Sequence, residues 1–211
     1  MKKTILLFLP FLLFLAGAFV SCEEVKEAGK YDNWKERNQA FIDSIKRETG
    51  EVYVATMEDL EKVPEGDLFA IETTAGTSNG RQYVYCKKLV SNTTGELPIF
   101  TSNVTTYYYG TYITGDEFDG CFKGYGALDR IITKPLEKKP TDFDATSSFA
   151  VSGVVAGWTA ALQYMRVGER WMLYIPWESG YGTSDYTPYG STKTIPGHSV
   201  LTFDLILKSV N

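Results

Sequence analysis

The stretch from Gly157 to Met165 constrains the C-terminal half of this chain more than any other. Trp158, Leu162 and Met165 recur at spacings of four and three, which gathers them on one face of a short helix. Gly168 stops it. Everything around it is written in the residues of strands: Phe149 to Val151, Arg170 to Ile175 and Ser199 to Val210. In the last run Val200, Thr202, Asp204 and Ile206 alternate with Leu201, Phe203, Leu205 and Leu207. Upstream, Leu68 to Thr73 and Gln82 to Leu89 are β-rich and separated by a turn-forming stretch, and Val104 to Ile113 carries tyrosines at 107, 108 and 109. One short helix among several antiparallel strands predicts an α+β domain with the helix packed on one face of a sheet.

The first residues stand outside that fold. Lys2 and Lys3 precede an unbroken apolar run from Ile5 to Val20 with Pro10 inside it, which reads as an export signal over residues 1–21. The run is shorter than the ~20 residues that span a bilayer. Cys22 follows Phe19-Val20-Ser21, a segment that resembles a bacterial lipobox with Phe19 where leucine is usual. Lipidation of Cys22 is the expectation; ordinary cleavage that leaves a free thiol is the alternative, and an exposed thiol is an oxidation liability in an exported protein. Glu23 and Glu24 resemble the surface-export signal of Bacteroidetes lipoproteins, with solvated linker charge as the other reading.

Residues 22–32 are then a lipid-anchored linker, and 33–99 an N-terminal extension of helix and strands. Its helix starts at a cap on Asp32 or Asn33, carries Trp34, Phe41, Ile42 and Ile45 near one face, and ends at Gly50. That stripe is expected to dock on the domain's own core. Cys86 and Cys121 either pair in the oxidising compartment or stay apart. A formal charge of −5 without clustered Lys and Arg argues against a nucleic-acid partner.

From 100 to 211 a family becomes recognisable. Val154-Val155-Ala156-Gly157-Trp158, then Leu162, Met165, Val167-Gly168-Glu169 and Trp171-Met172-Leu173-Tyr174-Ile175-Pro176 resemble the central block of FKBP-type peptidyl-prolyl cis-trans isomerases. Tyr181-Gly182, Ile195-Pro196-Gly197-His198 and Leu201-Thr202-Phe203-Asp204 follow in family order, and Tyr108-Tyr109-Gly110 with Phe118-Asp119 resembles its first pocket strand. The resemblance implies an antiparallel curved sheet wrapped on the short helix. It makes Trp158 the floor of a proline slot and Tyr108, Phe118, Val154, Val155 and Phe203 its walls. Tyr181 would offer its hydroxyl to a substrate carbonyl, as would the Val155 N–H. Asp119 would touch substrate or orient Tyr108, and Ile195 would lie on the loop that closes over the slot. Phe149 is a candidate for one further wall aromatic.

The chemistry this implies is rotation about an X-Pro amide, whose resonance barrier is ~18–20 kcal/mol. No bond is made or broken, so neither cofactor nor metal is expected. His198 has no triad motif around it, and the Cys, His and carboxylate spacings hold no zinc pattern. The implied partners are X-Pro segments of exported proteins, with the membrane reached through the N-terminal lipid. Two segments depart from the family: about thirty residues between Asp119 and Phe149, and the Ser, Thr, Tyr, Gly and Pro-rich run Thr183 to Thr194. They motivate the alternative of a catalytically weak binding or chaperone module. A surface nutrient-binding lipoprotein is a third reading.

Overall fold

A computed structural model describes residues 29–77, 80–122, 140–141, 144–189 and 191–211. One compact unit spans Asn33–Asn211. Residues 1–28, Cys22 among them, lie outside the described residues, as do 78–79, 123–139, 142–143 and 190.

Helix α1 covers Trp34–Thr49. Its N-cap is Asn33, one of the two residues expected there, in the left-handed region (φ 50°) and with no side-chain cap bond. The carbonyl of Asn33 accepts the Arg37 N–H at 2.9 Å instead. Gly50 ends the helix as expected, at φ 61° with its N–H on the Lys46 carbonyl. Strand β1 (Tyr53–Val54) and helix α2 (Met57–Glu61) follow; α2 is held by a capping box between Thr56 and Asp59.

Strands β2 (Leu68–Thr77), β3 (Gly80–Val90), β4 (Asn103–Thr111), β5 (Glu117–Gly120) and β6 (Ser147–Ala150) precede helix α3 (Ala156–Leu162). Strands β7 (Arg170–Ile175) and β8 (Leu201–Val210) come after it. All eight join one sheet in the order β1-β2-β3-β7-β8-β4-β5, with β6 also on β4. Every pair is antiparallel except β1 with β2. Residues 33–99 thus supply three strands of the sheet, with β3 alongside β7.

Period-two alternation sorts the strands between two cores. Phe69, Ile71, Val84, Cys86, Trp171, Leu173, Ile175, Leu201, Phe203, Leu205 and Leu207 face α3, whose Trp158, Ala161 and Leu162 complete that core. Leu68, Ala70, Tyr85, Leu89, Met172 and Tyr174 face the other way, onto Phe41, Ile42 and Ile45 of α1. The helical stripe therefore docks on the chain's own sheet. With helices on both faces, β7 is buried along its whole length.

Two local features set the position of the site. A Cβ on Gly157 would lie 2.6 Å from Ile175 Cγ2, so glycine lets the start of α3 press onto β7. Strands β5 and β6 share one edge of β4: Tyr109–Thr111 pair with Glu117–Gly120, and Asn103–Thr106 with Ser147–Ala150. The long divergent segment is inserted between these two stretches of strand. Cys86 and Cys121 are both free. Cys86 sits on β3, and the Cys121 thiol lies against the Thr106 carbonyl of β4. Two strands separate β3 from β4, and three steps of ~4.8 Å exceed disulfide reach.

Candidate active site

The start of α3, the first half of β8 and the middle of β4 converge on a cleft of about 350 Å³. Trp158 is its centre. Buried to 3% exposure, it meets three rings edge-on: Phe203 at 5.1 Å, Tyr108 at 5.3 Å and Phe149 at 5.5 Å between centroids. Edge-to-face contacts of this kind suit the ring quadrupoles and fix the box rigidly. The sequence places the rings there by register. Tyr108 pairs with Leu205, which brings Gly110 opposite Phe203. A Cβ on Gly110 would lie 2.7 Å from the Phe203 ring and 2.8 Å from that of Phe118, so only glycine leaves both rings in place.

Val155 caps α3 in an extended conformation and its carbonyl accepts the Trp158 N–H at 2.9 Å. Its own N–H makes no hydrogen bond among the described residues and stays available at the cleft. The Trp158 indole N–H also lacks an acceptor among the described residues, a buried polar group at the centre of the apolar floor.

The mouth is more polar. Asp119 is exposed and oriented by the Gly120 N–H at 2.8 Å. Burial pushes the Tyr108 phenol above its ordinary value, and the Asp119 carboxylate beside it pushes the same way. The Tyr181 phenol is also raised, by burial first and then by Tyr186 and Asp119. Both therefore keep their protons through the neutral range and can donate. Tyr181 stacks on Tyr186 at 4.4 Å and 11° between planes. Tyr186 is held in turn by a two-way backbone pairing with Ile195, at 2.9 and 2.7 Å.

Of the residues expected at the site, Tyr108, Asp119, Val154, Val155, Trp158, Tyr181 and Phe203 line this cleft, and so does Phe149. Phe118 and Ile195 do not. Phe118 packs behind the wall, 5.3 Å from Phe203 and 5.0 Å from Tyr112, because alternation on β5 sends its neighbour Asp119 to the mouth. Ile195 is on the loop, but its side chain is buried in the core to 3% and only its backbone serves the rim. Tyr186 and Gly153 line the cleft without having been singled out in sequence. Tyr186 lies five residues after Tyr181 in a polar run, and that spacing is its only signal. Among the described residues no group of three His, Cys, Asp or Glu side chains could hold a metal.

A family model described as FKBP-type peptidyl-prolyl cis-trans isomerase matches residues 98–208. The FKBP-type 22 kDa peptidyl-prolyl cis-trans isomerase of Escherichia coli is 29% identical over 134 residues, which cover 64% of this chain and 52% of that protein. The outer membrane protein MIP of Legionella longbeachae is 32% identical over 118 residues, 56% of this chain and 41% of that one. The match thus spans about half or less of the length of these curated relatives. A peptidyl-prolyl cis-trans isomerase from Pseudomonas syringae pv. tomato superposes with a TM-score of 0.50 at 20% identity, covering 88% of this chain and 99% of that one, and shares the fold. Motif order, sheet, cleft and family match agree, and the chain belongs to the FKBP-type peptidyl-prolyl cis-trans isomerase family.

Proposed function

We propose that this protein catalyses cis-trans isomerisation of X-Pro bonds in exported proteins of the cell envelope. The observation that carries the reading is Trp158 boxed by Tyr108, Phe149 and Phe203 in a cleft open to solvent on one side. Such a slot takes a proline ring and strips water from its amide. As the amide twists, the nitrogen lone pair leaves resonance and the carbonyl oxygen loses negative charge. A dry apolar wall favours that less polar state over the planar one, which is stabilisation of a transition state by shape and low polarity. Tyr181 and the Val155 N–H orient the flanking carbonyls, and Asp119 fixes the mouth. No nucleophile or proton transfer is needed.

Anchoring of an outer-membrane lipoprotein through Cys22, with residues 22–32 as tether and the folded unit on the periplasmic face or the cell surface, completes the proposal. It rests on the apolar leader, the lipobox-like Phe19-Val20-Ser21-Cys22 and the acidic pair after it. A relative bearing the words outer membrane in its name supports the location. The binding-module reading has its own support in the Tyr181–Tyr186 stack at the rim and the long run between Asp119 and Phe149.

A protease-coupled assay with an X-Pro peptide separates the two. Acceleration over the uncatalysed exchange, which takes tens to hundreds of seconds, supports an isomerase; peptide binding without acceleration at micromolar protein supports the binding module. Membrane fractionation of the wild type and Cys22→Ser reads the anchor. The variant is expected in the soluble fraction, and equal membrane retention would overturn lipidation.

A further inference from the structure

We propose that the first turn of α1 braces the cleft, with Trp34 and Asn38 as positioning residues that hold the loop carrying the Tyr181–Tyr186 rim. The rest of α1 packs on the far face of the sheet, but Trp34 belongs to the cleft-side core. Its indole N–H donates to Ser199 Oγ at 3.0 Å, and that hydroxyl donates onward to the Pro196 carbonyl at 2.6 Å. One turn later, Asn38 Oδ1 accepts the Val200 N–H at 2.7 Å while its Nδ2 donates to the Trp34 carbonyl at 2.7 Å. Trp34 and Ser199 are at most 7% exposed, and Asn38 is fully buried. A link between residues 165 apart in sequence, begun by a buried hydrogen bond, gains strength from the low local dielectric.

From there the connection runs to the cleft without a gap. Pro196 follows Ile195, whose backbone pairs with Tyr186, and Tyr186 stacks on Tyr181. Two further contacts tie the same loop down: His198 N–H on the Gly182 carbonyl at 2.9 Å and Gly197 N–H on Asp185 Oδ1 at 2.8 Å. A second line is aromatic. Trp34 meets Tyr112 edge-on at 5.8 Å, Tyr112 meets Phe118 at 5.0 Å, and Phe118 backs Phe203 at 5.3 Å. The Tyr112 hydroxyl also donates to the Thr194 carbonyl at 3.4 Å, which returns that line to the loop. α1 thus supports both the rim and the wall behind Phe203, and the extension before residue 100 gains a part in the site. If the rim binds only when docked, affinity scales with the docked fraction.

The kinetic arm of the test rests on the isomerase reading; the exchange arm does not. Trp34→Phe keeps the ring and removes the N–H, and Ser199→Ala removes the hydroxyl it meets. Each is expected to raise KM for an X-Pro peptide by about three- to ten-fold with kcat within about two-fold, the size of one buried hydrogen bond. The double variant should be no worse than Ser199→Ala alone, since that change already removes both bonds of the link. In parallel, hydrogen exchange of backbone amides in 183–198 should quicken in both variants while that of β8 stays unchanged. Asn38→Ala is the second probe, through the Val200 N–H. Lower melting temperatures with unaltered KM and unaltered exchange in 183–198 would overturn the brace and leave α1 as packing alone. A wild type without isomerase activity would sink the proposed function, and the exchange comparison would still decide the brace.

Discussion

Trp158 bears more of the site than any other side chain, because three rings lean on it and the proline slot is the space they leave. Trp158→Ala should raise KM at least ten-fold and, as a large-to-small change in a core, lower stability by about 3–5 kcal/mol; kinetics and chemical denaturation read the two parts. Tyr181→Phe keeps the stack on Tyr186 and loses one donor, so kcat/KM should fall only about two- to ten-fold with stability unchanged. If neither variant alters activity in a folded protein, the assigned pocket is wrong. Most of these residues were legible because short motifs fall in one order along the chain. Sequence shows which residues alternate on a strand but not which side of an edge strand faces the cleft, so it offers Phe118 as a wall where the structure puts it behind one. Tyr186 was missed since its place depends on pairing with Ile195, nine residues further on.

At the scale of elements, the close approach of α3 to β7 decides whether the cleft floor sits at the right height. Gly157→Ala puts a methyl into Ile175, and the helix must move outward by a few tenths of an ångström or more. Overpacking of this sort costs about 1–3 kcal/mol. Because Val155 and Trp158 lie at the same helix end, kcat/KM should also fall, which assays at a temperature well below melting will show. The long strands and both longer helices announce themselves by period; Gly50 stops α1 as expected, whereas α3 ends at Leu162 with Gln163 as its cap, before the expected stop at Gly168. β1, α2 and β5 are two, five and four residues long, too short for a period to register. The interruption of the β4 edge was visible only as an excess of residues between Asp119 and Phe149.

Over the whole molecule, one sheet buried on both faces makes buried polar groups consequential. Arg170 and Asp204 pair across β7 and β8 with 2.8, 3.0 and 3.2 Å contacts and are almost fully buried. Burial pushes the guanidinium down to about 10 and the carboxyl up, and the pair satisfies both. Removing one partner by Asp204→Asn leaves a buried uncompensated charge, a loss of about 3–5 kcal/mol. The buried phenols set an alkaline limit. Tyr85 is raised to about 12 by burial, and Tyr108 and Tyr181 are raised as well. A raised phenol binds its proton more tightly folded than unfolded. The stability this contributes is complete below about pH 10 and is lost as pH climbs through the folded value. Melting temperature against pH should therefore decline above about 10, and a decline beginning near neutrality would contradict those burial shifts.

The central claim is that a dry aromatic slot lowers the barrier to twisting a proline amide. Exchange spectroscopy on an X-Pro peptide with a small amount of labelled protein tests it in one sample, since it reports both the cis-trans rate and which protein signals move. Faster exchange with shifts confined to Trp158, Val155, Tyr181, Phe203 and their neighbours is the outcome foreseen here. Exchange at the free-peptide rate, or shifts centred instead on helix α2, would contradict it.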